Sequence, residues 1–558
     1  MKHHIVTKHI CYFGVFAVTL WLAGLTTTGR AAGNEGCVIL GNDDKPYTGQ
    51  NHDPLFQILK SPGKCPGNVF DLRALLEKRG LTLHPSFVGN RGYDNPLPEG
   101  SFSFFEGVTG TLDGGKLAFG DFFFGHFTEA TPPRKPTTLS AQQEPDPGNL
   151  MIELIVWDSK KGWYNFYEMR GAGKAGVWYY RGDSMDIAND LAKLHRNTNP
   201  TQPVFGQTLR CSACHMHGGP IMKELSLPNN SWWRKDRPLP LGGLKVAPDI
   251  QPIFDKIVDA GDFSQWIKTG VDKLQASPSY RKARSKLTLQ EQLRPLFCEM
   301  EVNIDSDLEP LTGSGEEVQV PVGFFVDPRL VPQGAPTIKI SKKLYMSALT
   351  SFGSSFTDKD QGPRPTDPVD ADHPWLTPVK AYSDTQAVDA LVKQGLIDQA
   401  FVVAVLAVDM TRPMLFNSRS DLLLLVPQQF TPDWKDKFIE NLRASKSPAA
   451  QELLKNLTSP ERTVAFQQKQ AQTLLEKVQA QVANQDYVTS LVRLLVQRRG
   501  EVFASVLSQD PLGQIFEPEF RVIFPNMSQL SKYLYPSGLS AQFWLTPDGK
   551  VETGEHNP

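Results

Sequence analysis

The sequence predicts a multidomain α+β protein with three folded parts: an antiparallel β domain, a mainly helical central domain and a mainly helical C-terminal domain. Three observations carry this. Aromatic and β-branched runs separated by turn signals fill residues 101–181. Capped, amphipathic stretches dominate after residue 383. The chain has 558 residues, enough for three or four domains at roughly 150 residues each.

The elements follow in order. Residues 1–31 have a basic start at Lys2 and Lys8, an apolar run from Ile10 to Leu25, and small residues at Gly29, Ala31 and Ala32. That layout predicts a signal peptide cleaved after Ala31. The apolar run is short for a bilayer span of ~20 residues, so no stable membrane span is expected after cleavage. Residues 32–84 read as a loop-rich segment with one helix from Asp71 to Arg79, ended by Gly80. Residues 85–183 form the β domain, expected as a sandwich or open barrel. Its strands are Ser101–Phe105, Lys116–Phe124, Met151–Trp157, Trp163–Met169 and Val177–Arg181.

Residues 184–307 read as the helical central domain, with helices near Ser184–His195, Ile250–Ala260, Phe263–Leu274 and Leu289–Val302. Residues 308–378 connect onward through a strand at Val318–Val326 and a Pro-rich run from Gly362 to Pro378. Residues 379–558 form the C-terminal domain. There Ser383 is a helix cap, Asp398 precedes Phe401–Val408, and Thr431, Ser447 and Ser459 each stand before a Pro. Helices are expected from Pro460 to Val482 and from Asp486 to Arg499, the second ended by Gly500. A hairpin turns at Pro547-Asp548-Gly549. No internal repeat, phosphate-binding loop, nucleophile elbow or His-Glu-x-x-His motif is present.

The chemistry concentrates in Cys211-Ser212-Ala213-Cys214-His215. Two thiols at i and i+3 with a His directly after are the attachment signature of a c-type haem. Each thiol adds to one vinyl group of the porphyrin, and the His supplies an axial imidazole to the iron. Two other readings stand beside it. A zinc site would use Cys211, Cys214, His215 and His217. A redox-active disulfide would use Cys211 and Cys214, although no βαβ pattern surrounds them.

The segment from Phe205 to Ile221 resembles the haem-attachment region of c-type cytochromes, somewhat like those of the small class I kind. It has Phe205 and Leu209 ahead of the first Cys and Gly219-Pro220 shortly after the His. The resemblance implies one haem c, held covalently by Cys211 and Cys214, with His215 as the proximal iron ligand. It also implies that the Pro220 carbonyl accepts the other ring N–H of His215. It covers roughly twenty residues and says nothing of the rest.

Haem attachment and export predict each other, which places the chain in the periplasm or outside the cell. Loss of residues 1–31 removes three basic side chains and no acidic one, leaving 55 basic against 60 acidic. That balance gives no footprint for nucleic acid. In an oxidising compartment Cys37 and Cys65 are a candidate disulfide, and Cys298, within Leu296-Phe297-Cys298, is expected to be buried.

The sixth axial position decides function. Met222, Met300, His126, His195 and His217 are candidates, and the sequence assigns none of them. A closed iron implies electron transfer with a redox partner protein or a small-molecule donor or acceptor. The alternative is a haem peroxidase or oxygenase with an open distal site, for which Glu106, His126, Glu129 and Glu224 are the candidate proton donors and acceptors. Trp232-Trp233 could wall a haem edge or simply anchor the core.

Overall fold

The fold is taken from a computed structural model. It describes residues 36–90, 101–113, 115–127, 138–139, 150–171, 176–194, 211, 215–222, 232–236, 238, 245–309, 313–350, 374–414, 417–509 and 542–554. The signal segment, His195, Glu129 and Glu224 lie outside the described residues, as do Ser212, Ala213 and Cys214.

The N-terminal half is an α+β layer structure built on one eight-stranded sheet. Its elements begin with β1 (Ile39–Leu40), α1 (Pro54–Lys60), α2 (Val69–Lys78), β2 (Leu81–Asn90), β3 (Ser101–Leu112), β4 (Gly115–Leu117) and β5 (Phe122–Phe127). They continue with β6 (Thr138–Leu139), β7 (Leu150–Asp158), β8 (Trp163–Gly171) and β9 (Gly176–Asp183). The sheet order is β1-β9-β8-β7-β5-β3-β2, with β4 on β3. All its pairs are antiparallel except β1 with β9. It is an open sheet with helices on both faces, not a sandwich or barrel.

That double cover explains the sequence pattern. On β5, Phe122 and Phe124 enter one core with Leu55, Leu72 and Leu76 of α1 and α2. Phe123, between them, enters a second core on the opposite face. A sheet buried on both faces reads as an unbroken aromatic run rather than an alternating one. The expected strand Lys116–Phe124 is divided into β4 and β5 at Gly120. That residue has φ +96°, and a Cβ there would come within 2.9 Å of the Gly270 backbone.

The second face is covered by α5 (Ala260–Ala276), which follows α3 (Ser184–Leu194), β10 (Lys245–Val246) and α4 (Gln251–Phe254). Phe263, Ile267 and Leu274 of α5 pack with Ile155, Tyr164 and Phe166 of the sheet. Next come α6 (Pro278–Arg284), α7 (Leu289–Phe297), β11 (Val302–Asp305), β12 (Glu317–Val320), β13 (Ile338–Ser341), α8 (Lys342–Thr350) and β14 (Thr377–Lys380). The strand expected at Val318–Val326 stops at Val320, and Pro321 leads into a 3-10 turn at Val322–Phe324.

The C-terminal half adds α9 (Tyr382–Lys393), α10 (Gln399–Leu406), α11 (Asn417–Asp421), α12 (Trp434–Ala444), α13 (Pro448–Thr458), α14 (Val464–Gln481) and α15 (Gln485–Gln509). The chain closes with the hairpin β15 (Gln542–Leu545) and β16 (Val551–Gly554). Asp398 caps α10 by accepting from the Phe401 N–H. Gly500 does not end α15, which runs nine residues further. One apolar core joins α7 to these helices, so Leu289, Leu293 and Phe297 share it with Phe401, Phe438 and Leu491. Cys298 is buried in that core, and burial pushes its thiol pKa up. Cys37 and Cys65 form a disulfide with Cα atoms 5.1 Å apart. Among the described residues no helix is long and apolar enough to cross a membrane.

One ionic cluster lies inside the first core. Glu106 of β3 is fully buried, paired through Oε2 with Arg73 of α2 and through Oε1 with His126 Nε2 at 2.8 Å. Burial alone would raise the Glu106 carboxyl, but the hydrogen bond from His126 and the charge of Arg73 outweigh it and hold it below its ordinary value of 4.5. Glu106→Gln should therefore cost about 3 kcal/mol near neutral pH by removing the buried countercharge of Arg73 and leaving it, among the described residues, only the exposed Glu77 at 4.0 Å. A carboxyl depressed on folding stabilises above its unfolded pKa and loses that contribution as pH falls through its folded one. Urea unfolding should show wild type and variant converging in acid; a gap that stays constant from about pH 7 to about pH 3 would contradict this account.

Candidate haem-attachment site

The motif lies against the second face of the sheet. The His215 N–H donates to the Cys211 carbonyl at 3.0 Å, closing one helical turn between the first thiol and the imidazole. Cys211 packs on the core that holds Phe123, Phe166, Trp232 and Phe263. Phe166 of β8 meets the His215 ring edge to face, with centroids 5.2 Å apart. The surroundings are aromatic because β5, β8 and α5 all present aromatic side chains here.

The His215 ring is oriented by its own chain. Its Nδ1 lies 2.7 Å from the Gly219 carbonyl oxygen. A carbonyl can only accept, so Nδ1 carries the proton and the lone pair of the neutral ring sits on Nε2. The acceptor is Gly219, not Pro220 as the resemblance implied. Gly218 has φ +69° and turns the chain back one residue earlier. A Cβ at Gly218 would lie 2.3 Å from the Ser184 carbonyl oxygen, so only glycine fits. Ser184, at the start of α3, holds the turn by donating to the Gly218 carbonyl at 2.6 Å and accepting from the Tyr164 N–H at 2.9 Å.

The other side of the loop is held by the C-terminal half. His217 is buried, and its Nε2 lies 2.6 Å from Asp384 Oδ1 of α9. The His217 N–H donates to Glu301 Oε1 at 3.0 Å, and the Tyr280 hydroxyl donates to the His217 carbonyl at 2.8 Å. Asp384 also accepts from the backbone N–H groups of Met300, at 2.9 Å, and Glu301, at 3.3 Å. Ser383, expected as a helix cap, instead donates its hydroxyl to Glu301. None of Glu301, Ser383 and Asp384 belongs to a sequence motif. Only their burial in the fold reveals their role.

The structure sorts the axial and proton-transfer candidates. Glu106 is committed to Arg73 and to His126 in the first core, on the sheet face opposite the motif. His217 is anchored to Asp384, and Met300 is tied to the same carboxylate through its backbone. Met222 is buried in the motif's own core. The two adjacent indoles part company: Trp232 joins that core while Trp233 packs on the other. Trp232 Nε1 is buried with no hydrogen-bond partner among the described residues. Of the four ligands of the zinc alternative, Cys214 lies outside the described residues and His217 Nε2 is engaged by Asp384.

A haem c fits the residues described. The tautomer of His215 directs its lone pair from Nε2, Cys211 stands one turn before it, and the wall is aromatic. Set against family models, curated proteins and solved structures, the chain matches none.

Asp384→Ala removes the shared acceptor of His217, Met300 and Glu301 and leaves three buried donors unmet. Each unmet donor costs about 1–3 kcal/mol, so urea unfolding should show a loss of about 3 kcal/mol or more. A loss below about 1 kcal/mol would mean that the loop is held by something else.

Proposed function

We propose that the chain is an exported c-type cytochrome that carries one covalent haem and serves electron transfer in the periplasm or outside the cell. Cys211 and Cys214 form the two thioether bonds, and His215 Nε2 is the proximal ligand. The observation that carries this reading is the bond from His215 Nδ1 to the Gly219 carbonyl within the Cys-x-x-Cys-His segment. A carbonyl that accepts the other ring N–H fixes the tautomer of a metal-binding His and its ring orientation. Bound there, a haem supplies one-electron exchange at its iron. The protein's own contribution is to hold the imidazole and exclude water with Phe166 and Trp232.

The disulfide between Cys37 and Cys65 supports export, since such bonds persist in oxidising compartments. Electron transfer is favoured over a peroxidase or oxygenase because two of the four candidate acid–base groups, Glu106 and His126, face away from the motif. The partner is a redox protein or a small-molecule donor or acceptor.

Optical spectroscopy of the purified holoprotein separates the two. A carrier predicts six-coordinate, low-spin spectra in both oxidation states, unchanged by peroxide or carbon monoxide. A high-spin ferric spectrum with rapid ligand binding would overturn it. Cys211→Ala should lose at least one thioether bond, seen as a red shift of the pyridine haemochrome; an unchanged haemochrome would refute the attachment.

A further inference from the structure

A cavity of about 200 Å³ opens between α7, α9 and the β11–β14 ribbon. Its apolar wall is formed by Leu296, Val379, Val388, Leu406 and Met414. Five charged residues also line it: Asp305, Asp327, Arg329, Lys380 and Asp384. Four of them have partners. Arg329 donates to the Thr385 carbonyl at 2.7 Å and to Asp389 at 3.0 Å. Lys380 Nζ lies 3.8 Å from Asp327 and 3.5 Å from the Leu296 carbonyl oxygen. Asp384 is engaged by His217 and two backbone N–H groups.

Asp305 is the exception. Its carboxyl accepts one bond, from the N–H of Ser306 at 3.0 Å, and among the described residues no cation pairs with it. Burial pushes its pKa up to about 6, with only that backbone bond opposing. Asp305 is itself only partly buried, so a cation entering the cavity can reach its carboxylate.

We infer that this cavity binds a small amphipathic amine, with an apolar body about the size of a phenyl ring against Val388 and Leu406 and its ammonium on Asp305. The size follows from volume, since an apolar cavity of about 150 Å³ is enough for benzene. The charge follows from the unmatched carboxylate. A divalent cation would need several oxygen ligands, and among the described residues no three suitable side chains gather. An anion would find Lys380 and Arg329 already engaged. The inference does not depend on the haem. An occupant would nevertheless touch Asp384, the residue that holds His217.

Calorimetric titration of the full-length holoprotein near neutral pH with phenethylamine, phenethyl alcohol and phenylacetate tests this. Phenethylamine should saturate the site, with the alcohol and the acid weaker by about tenfold or more, the worth of one charge-assisted contact. Asp305→Asn should reduce the amine to the level of the alcohol. Val388→Phe, which fills the apolar end and leaves Asp305 in place, should abolish binding and keeps the test decisive if the first variant does not fold. The inference fails if the amine shows no saturable binding, if the alcohol or phenylacetate binds as tightly, or if either folded variant keeps the wild-type affinity.

Discussion

The contact between His217 and Asp384 joins residues 167 positions apart and is buried from water. The short loop after the motif, His215 to Gly219, carries polar backbone groups into an apolar setting, where each must find a partner. Ser184, at the start of α3, meets part of the need. The rest is met by Glu301, Asp384 and Tyr280, all on the C-terminal side of α5. The loop that holds His215 is therefore fixed only when both halves of the chain are in place. That gives a physical reason for one small motif to sit in so large a protein.

The sheet supplies the second constraint. Its strands are buried on both faces, so neighbouring residues on one strand serve different cores. Phe123 faces the motif while Phe122 and Phe124 face α1 and α2. The same alternation sends Glu106 to Arg73 and His126 to Glu106, away from the motif. Two titratable groups that stand near the motif by strand pattern are thus structural. Glu106 neutralises the buried Arg73, and His126 is hydrogen-bonded to Glu106.

Much of this was legible in the sequence, and the limits have physical causes. The motif, the strand-rich region and the helix caps at Asp398 and Ser447 are local signals, and local signals survive without a fold. The strand Leu81–Asn90 was hidden because His84, Pro85 and Gly89 interrupt its pattern, and pairing along β3 overrides their poor propensity. Ser383 looked like a cap, yet its hydroxyl serves Glu301. The resemblance implies the Pro220 carbonyl as acceptor, one residue late, because the left-handed turn at Gly218 cannot be told from an ordinary glycine in the sequence. Asp384 and Glu301 carry no motif, since their meaning comes entirely from contacts across more than eighty residues.

The most direct test is the intact mass of the purified protein after denaturation, followed by peptide mapping. Covalent attachment predicts the mature chain plus one haem, with the added mass confined to the peptide that spans Cys211, Cys214 and His215. A denatured chain that carries no added mass, or carries it on another peptide, would contradict the account.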